Sequence, residues 1–289
     1  MKSLIRKAGL SLLALVVAFA ITAVGQGLWG VMAIANVALS PSIPWAALVM
    51  PVILAGLVAF LAGRGWPRWG AEGRRAMVPL APVSAEAWTW TIVSGVVGVA
   101  VLAALWTIMG SIVRVPPNVL PDMRGVPIWT QAALLLVAIA AAPLTEEIAF
   151  RGYAMGLLRR AFGPAGVLVL SSLMFAAAHL TQGLYAQKLI VYLLVGLAIG
   201  AIVMRTGSLL PAMVVHSMGD FAFFTLVWTQ DAHRRLISEG GADAGFFGWV
   251  AVLVVGLPLW ALAWRRFLRA TRKGAPSPDA TADGSYAPA

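Results

Sequence analysis

The chain is a succession of long apolar runs separated by short turns that hold nearly all of its basic residues. That pattern restricts the fold more than any other feature. A run of about 17 to 25 apolar residues crosses a bilayer as a helix, and backbone within hydrocarbon must satisfy its own hydrogen bonds, which helices and closed barrels alone can do. Eight such runs are predicted: about Ala8 to Met32, Trp45 to Ala62, Trp88 to Ile112, Trp129 to Leu158, Gly163 to His179, Leu189 to Met204, Ser208 to Trp228 and Phe246 to Trp264. Hydrophobic residues make up 61% of the chain and charged ones 11%, where a soluble domain is nearer a quarter charged. The expectation is an all-α polytopic membrane protein: one bundle of about eight helices over residues 1–264, with a motif-bearing core at 129–228. A basic collar and a disordered tail follow at 265–289.

The formal charge of +10 does not form a nucleic-acid patch, because the basic residues stand at the ends of apolar runs and read as membrane anchors. Lys2, Arg6 and Lys7 precede a first run too long for the apolar core of a signal peptide, so it reads as an uncleaved span. Of the 21 basic residues, alternation of eight spans puts 15 on one side, among them Arg64, Arg68, Arg74, Arg75, Arg159, Arg160, Arg205 and those of the collar. Five lie on the other, with Arg151 set apart. Both termini, Gly70 and Arg205 are therefore expected in the cytoplasm, and Pro117 and His233 outside. No cysteine is present, so a metal would have to be held by His, Asp or Glu.

Within the fourth run, Glu146, Glu147 and Arg151 sit where an ionised group is penalised by at least ~2.5 to 3.5 kcal/mol, and such groups are usually functional. Glu147 and Arg151 stand at i and i+4, the order that favours an ion pair. Glu146 points elsewhere and has no partner in its own helix, which leaves it for chemistry or for another helix. Phe175 and His179 share a face of the fifth run, as do His216 and Asp220 of the seventh. At 1.5 Å per residue, Glu146, His179, His216 and Asp220 lie at depths of ~12 to 24 Å from the inner ends, so one buried site is allowed. Gly152 with Gly156, and Gly196 with Gly200, fit small-residue packing between helices.

Glu146-Glu147-x-x-x-Arg151, Phe175-x-x-x-His179 and His216-x-x-x-Asp220, in that order on successive spans, resemble the CPBP family of intramembrane proteases, which includes the CAAX prenyl endopeptidase and bacteriocin-processing and immunity proteins. The resemblance covers about Pro143 to Asp220. It implies that Glu146 and His179 activate a water, that His216 and residue 220 act on the oxyanion or bind a metal, and that the substrate is a membrane-associated or prenylated-type peptide. The third motif most often ends in Asn, and here it is Asp220. An ionised Asp cannot donate to an oxyanion, whereas a carboxylate ligates zinc well. His179, His216 and Asp220 or Glu146 are thus candidate zinc ligands, and the Asp favours the metal. The HExxH helix of zinc proteases and the GxGD of aspartyl ones are missing. A proton-coupled transporter and a silent scaffold or immunity protein are the alternatives. Expected partners are a peptide or protein substrate and the lipid bilayer, with no nucleic acid; few lysines and many Ala and Arg point to a bacterial cytoplasmic membrane.

Overall fold

The structure, a computed structural model, describes residues 2–116 and 123–273. Pro117 and tail residues 274–289 lie outside them. Helix α1 (Lys2–Thr22) runs through a π-helical stretch, Ala23–Gly27, into α2 (Leu28–Leu39). Helix α3 (Trp45–Leu61) is followed by the short α4 (Ala71–Met77) and the long α5 (Ala85–Ile112). Helix α6 (Ile128–Glu146) passes into a second π-helical stretch, Glu147–Ala154, and ends as α7 (Met155–Leu158). Helices α8 (Pro164–Ala178), α9 (Ala186–Thr206) and α10 (Leu210–Ala222) come next; α10 continues into a third π-helical stretch, Phe223–Val227. The short α11 (Ile237–Gly240) leads into α12 (Ala244–Lys273). Among the described residues there is no strand, only an isolated bridge between Leu80 and Ser208.

The helix ends follow from local chemistry. Ser84 accepts a hydrogen bond from the Ala87 N–H at 3.2 Å and caps α5, while Gly163-Pro164 opens α8 with a residue that has no N–H to lose. Helix α9 stops at Gly207, whose φ of 65° a side chain would disfavour.

Among the described residues, six helices are long and apolar enough to cross a membrane: Ser3–Leu39, Ala85–Ile112, Ile128–Leu158, Ala186–Thr206, Leu210–His233 and Ala244–Arg272. Trp45–Leu61 and Pro164–Ala178, the second and fifth predicted runs, are helical but shorter. The 15 residues of α8 reach ~22 Å against a hydrocarbon core of ~30 Å. The first helix exceeds its predicted bounds at both ends, and the π-helical stretch carries Gly25-Gln26-Gly27 through it without a break. The collar is not a separate segment, since α12 extends through it to Lys273.

Basic turns gather at one end of the bundle. Arg6 Nη2 donates to the Arg160 carbonyl at 2.9 Å, Lys7 lies over the Phe162 ring, and the Ala81 N–H donates to the Gly207 carbonyl. Arg74 departs from the anchoring role given to its loop. It is buried, and its guanidinium donates to the carbonyls of Phe60 (2.6 Å), Pro67 (2.8 Å) and Trp69, so it ties the loop onto the end of α3. Of the two glycine pairs, Gly196 and Gly200 set α9 against Ser172 and Leu168 of α8, as expected. Gly152 and Gly156 meet Met77 at the end of α4, not another span.

Candidate active site

Pro143 has no N–H to give to the preceding turn of α6, and Thr145 Oγ1 donates to the Ala141 carbonyl there at 2.8 Å. Just beyond, the helix widens into the π-helical stretch that starts at Glu147. Such stretches are frequent at functional sites, and the other two follow the same pattern, one holding Gln26 and one beginning three residues after Asp220.

Glu147 and Arg151 are wholly buried, with Arg151 Nη1 donating to Glu147 Oε1 at 3.0 Å. The same oxygen accepts from His216 Nδ1 at 2.7 Å, so Glu147 is more than one half of a local ion pair. A carboxylate on Nδ1 fixes the proton there and turns Nε2 toward the acids. His216 Nε2 stands 3.6 Å from Glu146 Oε2 and 3.7 Å from Asp220 Oδ1. Arg151 also lies 4.3 Å from the centre of the Phe175 ring, and that ring packs edge-on to Phe150 and His216. Phe175 thereby packs against both partners of Glu147, Arg151 and His216.

His179 closes α8. Its Nδ1 donates to the Phe175 carbonyl at 2.9 Å, and its ring stacks on Tyr192 of α9 with centroids 3.7 Å apart. The bond and the stack hold the imidazole plane from two directions and leave Nε2 for other work. Glu146, His179, His216 and Asp220 all line one cavity of about 400 Å³, whose remaining wall is mostly apolar and aromatic.

Two lining residues were not anticipated. Gln26, from the first helix, donates from Nε2 to Glu146 Oε1 at 2.5 Å, so the glutamate without a partner in its own helix has one from another. An amide within an apolar span was the available signal, since polar side chains there usually bond across helices. Trp228 carries a buried indole N–H with no acceptor among the described residues, and nothing in its sequence context marks it.

A structural or catalytic zinc takes at least three protein ligands around one point. Among the described residues, no three His, Asp or Glu side chains are grouped so as to hold a metal ion. His216 Nδ1 is committed to Glu147 and His179 Nδ1 to a carbonyl, which leaves one ring nitrogen on each histidine. Without a grouping of three among the described residues, no step below is routed through a metal.

Residues 128–222 match the family model described as type II CAAX prenyl endopeptidase Rce1-like. The match supports the resemblance to the CPBP family over this stretch. The match covers about a third of the chain, including Glu146, Glu147, Arg151, Phe175, His179, His216 and Asp220, and leaves out Gln26 and Trp228. Neither a curated protein nor a solved structure matches the chain. The match and the six long apolar helices together support an integral membrane protein.

Proposed function

We propose that the protein is an intramembrane endopeptidase that hydrolyses a peptide bond of a membrane-associated substrate. The observation that carries this reading is the convergence of Glu146, His179, His216 and Asp220, from three helices, on one buried cavity. A cavity of about 400 Å³ with aromatic walls accepts a short apolar peptide stretch or a peptide bearing a lipid chain.

Glu146 takes a proton from a water held between it and His179, and the water oxygen adds to the peptide carbonyl. The carbonyl oxygen becomes an oxyanion, which His216, protonated on both ring nitrogens, meets through its Nε2–H while its Nδ1–H stays on Glu147. The proton on Glu146 passes to the leaving nitrogen, the C–N bond breaks, and an acid and an amine result. His179, fixed by the Phe175 carbonyl and Tyr192, orients the water.

The test compares new N-termini in membranes of cells that carry the wild type or Glu146→Gln. Peptides that appear with the wild type should fall about 10²-fold or more with Glu146→Gln at equal abundance. Equal yields from both overturn the proposal. Zinc in stoichiometric amount in the purified protein, lost on Asp220→Asn, would replace the metal-free chemistry with a metalloprotease.

Both termini are proposed to face the cytoplasm of a bacterial cell, on the charge asymmetry of the turns. The sequence has no cysteine, so single cysteines report cleanly. Arg68→Cys should be protected from an impermeant label added outside and His233→Cys should react. Arg68 is the better inner position because Gly70 has a φ of 63°. The reverse labelling overturns the topology.

A further inference from the structure

The third motif ends in Asp220, where a side-chain amide would serve an oxyanion, and an ionised carboxylate has no hydrogen to donate. An amide is nevertheless present in the cavity, from a helix outside the matched residues. Among the described residues that line it, Gln26 alone carries a carboxamide. Its place is built rather than incidental. Gly25 packs on Thr145 so closely that a Cβ would overlap the threonine side chain, and the approach brings the first helix against the residue preceding Glu146. The π-helical stretch Ala23–Gly27 then turns Gln26 onto the glutamate, where Nε2 donates to Oε1 at 2.5 Å.

The two oxygens of Glu146 are therefore flanked by two nitrogens, Gln26 Nε2 on Oε1 and His216 Nε2 at 3.6 Å from Oε2. A carbonyl attacked by a water resting on Glu146 would develop its negative charge beside these same nitrogens. The amide nitrogen has a second N–H for that charge while the first stays on Glu146. We propose that Gln26 is a catalytic residue of this protein, the amide donor to the oxyanion in place of the one that Asp220 cannot be. Position 26 and position 220 are then alternative sources of one hydrogen bond, and this rests on the peptidase reading above.

The coupling of the two positions is what the experiment reads. Gln26→Met keeps the length of the side chain and removes both donors. Yield of the new N-termini, per molecule of protein in the membrane, should fall about 10²- to 10³-fold, the usual effect of one lost oxyanion donor. Adding Asp220→Asn to Gln26→Met should return at least about tenfold of that loss, which a role confined to packing or to holding Glu146 would not allow. Gln26→Leu serves as the second variant if Gln26→Met accumulates poorly, with the melting temperature in detergent as the control for folding. Full activity in either single variant, or no recovery in the double variant, overturns the inference and leaves the peptidase reading standing. No cleavage by the wild type overturns the peptidase reading itself.

Discussion

Two carboxylates, the buried Glu147 and the half-buried Asp231, brace the cavity and are built alike. Glu147 accepts from an arginine one turn on, Arg151, and from the ring nitrogen of His216. Asp231 accepts from an arginine three residues on, Arg234, at 2.6 Å, and from the ring nitrogen of Trp106 at 3.0 Å. Both rings line the cavity. The difference lies in what each ring does with its remaining atoms. Imidazole keeps a second nitrogen that can give or take a proton, and it points at Glu146 and Asp220; indole has a single N–H, and the carboxylate consumes it. The same carboxylate, cation and ring arrangement thus supports chemistry at one wall and only fixes shape at the other.

That contrast predicts unequal consequences for equal-looking substitutions. Glu147→Gln should have the larger effect, because it strands the buried Arg151, typically a loss of ~3 to 5 kcal/mol, and also removes the acceptor that orients His216. Abundance should fall, and the molecules that remain should cleave at least about tenfold more slowly each. Purified protein with normal activity per molecule would break the comparison, since Glu147 would then be structural alone. Asp231→Asn keeps a carbonyl for Trp106 and loses the charge facing Arg234 and the buried Lys188. The expected loss is about 1 to 3 kcal/mol, seen as a lower melting temperature, with activity per folded molecule unchanged. A loss of activity larger than the loss of folded protein would show that the Trp106 wall takes part in the reaction.

The site was legible in the sequence to an uneven degree. Glu146, Glu147, Arg151, His179, His216 and Asp220 stood out because ionisable groups are rare within apolar runs, and the Glu147–Arg151 pair followed from spacing on one helix. His233 reads as an exposed residue and is one, while its neighbour Asp231 is drawn in against Trp106. The bond of Glu147 to His216 and that of Gln26 to Glu146 join residues 69 and 120 positions apart, and no local period encodes either.

By itself the sequence determined that the chain is a helical membrane protein, the order of its helices, and which side chains are too costly in hydrocarbon to be idle. Those properties depend on composition and on separations within one helix, where geometry is set by the backbone. Only the tertiary structure decided which faces meet. A helix apolar on all sides carries no stripe that marks its inner face, and the three π-helical stretches shift the facing of Gln26, Glu147 and the chain after Asp220 in a way that uniform helical spacing does not foresee. That is why the motif residues could be named from the sequence, while the partner of Glu146 required the fold.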